Sequence, residues 1–487
     1  MKRKSKNRHT DRLSDLPDEM LQHILSHLPS DEAVRSSVLS RRWRDVHEAV
    51  PVVDLVDHKK GRRAYYSSMD DVKVCFDQQV TGAILSKPPG TPIRTLRLQA
   101  FYRPQELLDQ WISSAMSSGA EEIDVNLRYW HVSRKSICPF ASSPGDFDKY
   151  YKDAYVKTQH QLFRCPTLRR LRLTNWKLDL PLRKVISSLE TLCLARIMDP
   201  NGVLQQLIFS CPRLADLTLQ ECPSLTEITV TSAHLRSFAI ICCHQAQRVQ
   251  LDSHCLKSLH YKGGIPQNSI FKLANYTGVV ALTIEICEDL SGKEQKEVAP
   301  VTTLISQCTD LTYLHLSLRP SMAFNSLFRG AVRRLSRLTQ LGLQGCLRNE
   351  DDVRSVAVFL CDTQNLEVLS LFPLGPQVPK KTQYLSDSES DDELIQDDGI
   401  DYSSRVTRSF WPMHIRCLDD KLRRINIGKY RGLQLQKILA RFLLSRTASL
   451  EEFSVALTAG CSRREHAREL RSWKSNCHTR VAVTICQ

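Results

Sequence analysis

The sequence holds 17 cysteines but no Cys-x-x-Cys pair. Its adjacent Cys242 and Cys243 do not suit tetrahedral chelation, so no metal is expected from spacing alone. There is no run of about 18 apolar residues, which excludes a recognisable membrane-spanning helix. Glycine is sparse, 18 in 487 residues, and none of it builds a phosphate loop or a Gly-x-Ser-x-Gly elbow. Histidines and thiols could be assembled into a Cys–His pair only arbitrarily. The expectation is therefore no catalytic residue, no enzyme activity and no cofactor. Residues 1–12, "MKRKSKNRHTDR", lack the apolar stretch of a secretory signal. Thiols in a reducing compartment, nucleus or cytoplasm, fit this chain better than a disulfide framework.

Several cysteines sit in one recurring context: "CPTL" at Cys165, "CPRL" at Cys211, "CPSL" at Cys222 and "CTDL" at Cys308. Cysteine acts there as a small buried hydrophobe. The formal net charge is +14, which raises nucleic acid or an acidic partner. The charge is spread along the chain, and its densest cluster is the tail at residues 1–10. That tail reads as a flexible arm, serving either nuclear import or solubility.

"LPDEMLQHILSHLPS", Leu16 to Ser30, carries Leu21, Ile24, Leu25 and Leu28 at helical spacing. Asp18 and Glu19 suit the start of this helix, and Pro29 ends it. Ser30 is placed to cap a second helix that runs to Pro51 and carries Val34, Val38, Leu39, Trp43 and Val46. Each buried Leu, Ile or Val contributes roughly 1.5–3 kcal/mol. A unit of about 45 residues cannot hide that much apolar surface internally. The surplus packs either on the rest of the chain or on a partner.

The opening Leu16-Pro17, the "ILSHLP" core and the "VLSRRWRDV" ending closely resemble an F-box, assigned to residues 11–55. The resemblance implies docking to the Skp-type adaptor, and through it to cullin, in an SCF-type ubiquitin ligase. By matched positions, Leu16, Pro17, Ile24, Leu25, Leu28, Pro29, Val38, Leu39 and Trp43 carry that contact or hold its shape.

A Leu-x-x-Leu-x-Leu signature then returns along the chain. It begins at Leu168, Leu189, Leu214, Leu225, Leu235, Leu256, Leu311, Leu338, Leu366, Leu422 and Leu450, with looser copies from Ile93 and Val279. The last three positions alternate, which is strand periodicity. One such repeat cannot bury its apolar edge, whereas stacked neighbours can. The fold class expected is α/β: an all-α F-box, then a curved leucine-rich-repeat solenoid over residues 90–375 with a parallel inner sheet. Between Leu214 and Leu256 the interval falls to 10 or 11 residues. The copies at Leu225 and Ala246 are then strands on the opposite side. "VTTLISQC" from Val301 and "DDVRSVAVFLCD" from Asp351 read as helices. This portion resembles plant leucine-rich-repeat F-box proteins, down to a Gly-Gly turn at Gly263-Gly264.

Residues 380–408 are acidic and nearly without core residues, reading as a disordered insert. Ser386, Ser388 and Ser390 there precede acidic residues. They suit an acidophilic kinase, or the segment is a solvated spacer. From 409 to 487 the pattern is strand, turn, helix, strand, with Gly428 and Gly432 in the turn. It resembles the FBD domain of many plant F-box proteins and would close the solenoid.

Residues that alternate with the buried strand positions face the open side of the sheet. The candidate target-binding set is Arg170, Arg172, Asp216, His260, Lys262, Tyr313, His315, Gln344, Arg424 and Asn426. Its mixed charge suits a protein target better than a phosphate backbone. Together these readings imply a non-catalytic substrate receptor of an SCF-type ubiquitin ligase. The alternative is a repeat scaffold that binds protein or nucleic acid outside any ligase.

Overall fold

The structure is a computed structural model, and it describes residues 13, 15–57, 69–85, 87–88, 90–129, 155–180, 188–199, 202–266, 269–288, 290, 294–321, 325–374, 414–474 and 478–485. The basic tail and the acidic insert lie outside these residues. The rest falls into two compact units divided between Ser224 and Leu225.

The first unit opens with three short helices: α1 Asp18–Leu25, α2 Ser30–Ser36 and α3 Arg41–Glu48. Asp18 and Glu19 stand in the first turn of α1, as their charge predicts. The single second helix expected from Ser30 to Pro51 is broken. Ser37 to Leu39 form a turn, and Ser40 caps α3 by accepting the Trp43 N–H at 3.3 Å. A serine hydroxyl competes for backbone donors in this way, so Ser40 restarts the helix. Ser30 is the first helical residue rather than the cap, which is Pro29. Its hydroxyl instead accepts the N–H of Asp54 at 2.8 Å, tying α2 to the first strand.

That strand, β1 Val52–Val56, belongs to a parallel sheet in the order β1-β2-β3-β4-β5-β6. The others are β2 Thr95–Phe101, β3 Glu122–Arg128, β4 Arg170–Thr174, β5 Thr191–Ala195 and β6 Asp216–Gln220. Helices α4 Met69–Leu85, α5 Gln105–Ser117 and α6 Leu204–Phe209 lie in the crossovers that parallel strands require. Repeat periodicity thus starts within the segment assigned to the F-box. Val50, Val53 and Leu55 are buried leading into and along β1, as are Ala120, Ile123 and Val125 leading into and along β3. Both triplets carry the repeat spacing with valine or alanine in place of leucine, which is why a leucine template misses β1 and β3.

Arg103 is fully buried at the head of α5, and its guanidinium reaches Asp57 at 2.9 Å and Asp77 at 2.5 Å. It also donates to the Phe101 carbonyl at 3.0 Å. This one cation fastens the ends of β1 and β2 to α4, and periodicity gives no sign of it.

The second unit interleaves two sheets. β7 Glu227–Val230, β9 Arg248–Leu251 and β11 Phe271–Leu273 pair in parallel as one. β8 Ser237–Ile241, β10 Ser258–Gly263 and β12 Ala281–Ile286 begin the other. The copies at Leu225 and Ala246 do form the separate sheet expected from the halved interval. Tyr261 and Phe271 meet edge-to-face at 5.7 Å between the two sheets.

The larger sheet continues, all parallel, through β13 Tyr313–Ser321, β14 Gln340–Cys346 and β15 Val368–Leu374. Helices α7 Gln295–Gln307, α8 Asn325–Val332 and α9 Glu350–Cys361 provide the crossovers, two of them where expected. After the insert come α10 Arg416–Asp420, β16 Arg424–Tyr430, α11 Gln434–Arg446, β17 Glu452–Leu457, α12 Arg463–Ser472 and β18 Arg480–Ile485. β16 to β18 extend the same sheet. Gly428 lies inside β16 rather than in the turn, whereas Gly432, at φ 75°, is in the turn.

The leucine positions named from sequence are all buried, from Leu168, Leu171 and Leu173 through Leu450, Phe453 and Val455. Cys165, Cys211, Cys222 and Cys308 are buried beside them. Burial pushes the Cys211 and Cys308 thiols up to about 12, so they behave as apolar filler.

Candidate functional site

The helical module divides its own apolar stripe. Leu21 and Leu25 point into a small core with Ala33, Trp43, Val46 and Val50, and Leu16 and Val52 pack against it. On a helix, Met20 and Ile24 occupy the neighbouring stripe, roughly 100° away. They are 50% and 40% exposed, and Leu28, just past the helix end, is 37% exposed. The turn between α2 and α3 presents Val38 and Leu39 at 86% and 69% exposure, and Leu13 and Val34 are also open. Seven of the twelve large apolar side chains exposed among the described residues therefore fall between Leu13 and Leu39. A random scatter over the chain would not concentrate them so.

The sequence-named set thus splits by role. Ile24, Leu28, Pro29, Val38, Leu39 and Pro17 are exposed, whereas Leu25 and Trp43 are buried and Leu16 is half-buried. Leu25 and Trp43 hold the helices together. Leu13, Met20 and Val34 join the exposed set but escaped the motif reading. Met20 sits one residue before Leu21 and could have been found by asking which apolar positions the core leaves out. Arg42 fixes α3 to α1 through Asp18 Oδ1 at 2.7 Å and through the Leu16 carbonyl, so the exposed residues ride on a braced frame. Lys87 donates to the Val50 carbonyl at 2.6 Å where α3 gives way to β1, and burial brings its ammonium down to about 8.

The open face of the first unit is a ladder of opposite charges. Register aligns Asp54, Arg97, Asp124 and Arg172 across β1 to β4, and Glu122 beside Arg170 in the next row. Arg97 meets Glu122 at 2.9 Å, Arg170 meets it at 3.1 Å, and Arg172 lies 3.6 Å from Asp124. Burial raises the Asp124 carboxyl above its ordinary value despite Arg172. Asp216 lies further along, with its carboxylate 3.4 Å from the Thr191 hydroxyl. Arg170 and Arg172 were named from sequence. Their acidic partners were not, because β1 and β3 went unread.

In the second unit, His260 Nε2 and Lys262 Nζ both lie 2.9 Å from the Glu285 carboxylate. Burial opposes ionisation of Glu285, but the bonds and charges of His260 and Lys262 outweigh it and hold the carboxyl at about 2. Register places Thr283 between His260 and His315. The His315 ring leans over Gly342, where any Cβ would lie 2.3 Å from its Nδ1. Burial keeps this imidazole below its ordinary value, against the pull of Glu285. Phe372 covers Gly428 in the same manner and meets the His315 ring at 5.9 Å. Tyr313 is 36% exposed, Asn426 donates to the Ser370 hydroxyl at 3.2 Å, Gln344 is half-buried, and Arg424 is exposed. The result is a polar face with aromatic rings let into glycine gaps. Glu285 and Phe372, both at outward strand positions, are the members that sequence reading missed.

Comparison with known proteins gives two family matches. Residues 13–46 match the F-box domain, and residues 147–275 match the leucine-rich repeats of the FBD-associated F-box protein At5g56370. The chain is 32% identical over 213 residues to the Arabidopsis thaliana putative F-box/FBD/LRR-repeat protein At5g22670, spanning 43% of this chain and 40% of that one. It is 23% identical over 459 residues to the FBD-associated F-box protein At5g60610 of the same plant, spanning 92% of this chain and all of the relative. The putative F-box protein At3g44060 aligns at 24% identity over 74% of this chain and 79% of its own length. The chain thus carries an F-box match at its head and a match to FBD-associated leucine-rich repeats behind it, on parallel repeat sheets, and in this it is similar to the F-box/FBD/leucine-rich-repeat proteins of Arabidopsis thaliana.

Proposed function

We propose that this chain is a substrate-receptor subunit of an SCF-type cullin-RING ubiquitin ligase. Its F-box would dock on the Skp-type adaptor and its repeats would hold a target protein. An F-box joined to leucine-rich repeats is the general layout of such receptors. One observation carries the reading: Ile24, Leu28, Val38 and Leu39 stand exposed on a helical module whose core is already complete. Covering each such side chain contributes up to roughly 1.5–3 kcal/mol, enough in sum for a specific interface.

The chain would perform no chemistry itself. Tethering a target beside the conjugating enzyme makes transfer effectively intramolecular, at effective concentrations of about millimolar. Such a complex would work in the nucleus or cytoplasm. The alternating charges of Asp54, Arg97, Asp124 and Arg172 favour a protein target over nucleic acid, because they offer no continuous basic track.

The test is capture of the full chain by purified Skp-type adaptor. The wild type should be retained. Val38→Asp combined with Leu39→Asp should lose retention while keeping the far-ultraviolet circular dichroism and unfolding midpoint. Equal retention of the double variant would overturn the docking assignment and leave a scaffold outside any ligase.

A further inference from the structure

A cluster of soft ligands at the ends of β8, β10 and β12 serves neither face. Cys242 directly follows β8 in a left-handed backbone conformation, φ 54°, and Cys287 directly follows β12. Strands two apart in a sheet are separated by roughly 9–10 Å, so two short side chains cannot normally meet across the strand between them. Here the intervening strand ends at Gly263, and Gly264 follows it. Register sets Lys262 between Ile241 and Glu285, and Gly263 beside Ile286. The two cysteines therefore flank a stretch with no side chain. The Cys242 N–H bonds to the Lys262 carbonyl at 2.6 Å, and the Cys287 N–H to the Gly263 carbonyl at 2.8 Å. Both backbones are pinned to the same middle strand.

The sulfur atoms consequently stand 3.9 Å apart. A ring nitrogen of His244 joins them, all three ligand atoms lying within 4.8 Å of one another. Two zinc–thiolate bonds of about 2.3 Å at a tetrahedral angle place their sulfurs about 3.8 Å apart. We propose that Cys242, His244 and Cys287 form a binding site for a thiophilic divalent cation, zinc. Two thiolates with one imidazole suit zinc better than the oxygen-seeking magnesium or calcium. Cys242 is buried while His244 and Cys287 are half-buried, which leaves the fourth coordination position reachable by water. The nearby cation, Lys262, is already paired with Glu285 at 2.9 Å. Each thiol releases its proton to solvent on binding, so affinity rises with pH. The ion would clip together the ends of strands β8 and β12 and the loop that carries His244.

The test uses the full chain, purified under a non-chelating reductant and supplied with zinc or cobalt alone. We expect one tightly held zinc per chain, and a sulfur-to-cobalt charge-transfer absorption on cobalt loading. Cys242→Ser and Cys287→Ser should each lose both signals, and His244→Ala should alter the cobalt spectrum. Cys255→Ser, at an exposed thiol outside the cluster, should change neither. Alkylation mapping of the wild-type chain guards against misfolded variants: zinc should slow modification of Cys242 and Cys287 severalfold and leave Cys255 unaffected. Unchanged alkylation at saturating zinc, or full metal retention in Cys242→Ser, would show that the sulfurs share only a thiol hydrogen bond.

Discussion

The F-box helices and the repeat strands use the same material, leucine and its relatives at short regular spacing, and dispose of it differently. In the repeats every leucine of the signature is buried, because each strand is covered by its neighbours and by the chain returning through the crossover. In the F-box, Leu21 and Leu25 are buried while Ile24, three residues after the first and one before the second, is 40% exposed. Three helices of seven or eight residues have too little neighbouring chain to cover two stripes. An apolar residue in a repeat is therefore part of the core, whereas in the F-box its position around the helix decides whether it is buried in the core or left exposed.

This difference can be pressed at several points, in falling order of effect on stability. Arg103→Ala should cost about 3–5 kcal/mol in chemical denaturation, because it leaves Asp57 buried beside no cation. The buried leucines come next. Leu343→Ala in the repeats and Leu25→Ala in the F-box should each cost about 2–5 kcal/mol. Leu25→Ala should also weaken adaptor capture, through loss of the frame rather than of the contact. Denaturation followed separately by a probe in each segment would distinguish them.

Glu285 gives a smaller, pH-dependent effect. Its folded carboxyl is held at about 2, below the ordinary value of 4.5. Its contribution is therefore complete above the unfolded value and fades as pH falls from about 5 towards 2. Glu285→Gln should lose about 1–2 kcal/mol at neutral pH and almost nothing at the acid end, read from unfolding midpoints across pH. Least affected in stability should be Val38→Asp with Leu39→Asp, within about 0.5 kcal/mol, even though this pair should abolish capture. If that variant unfolded as readily as Leu25→Ala, the division between core stripe and exposed stripe would be wrong.

Much of the fold was legible because its cause is local. The alternation in "LRRLRL" or "LTYLHL" states which residues face inward, and the halved interval from Leu214 to Leu256 announced a second sheet. Legibility failed where the same position is filled by another small or branched apolar residue, as at Val50 and Ala120. It failed also where one helix pattern concealed two helices, since Ser40 looks like any polar residue until its hydroxyl meets the Trp43 N–H. The candidate faces were half legible. Outward strand positions can be counted, but the partners that neutralise Arg170 and Arg172 come from β3, 48 residues earlier, and only register brings Glu122 and Asp124 to them.

The sequence by itself determined the periodic burial of the repeats, the use of cysteine as apolar filler and the presence of an oily helical head. Those follow from spacing within a few residues, which the backbone geometry of a strand or helix converts directly into facing. The tertiary structure alone decided which half of the α1 stripe stays uncovered and which charges cancel. It also decided that Cys242 and Cys287, 45 residues apart, meet over a glycine pair. Those outcomes depend on strand order and register, and a pattern read along one segment carries no information about what another segment lays beside it.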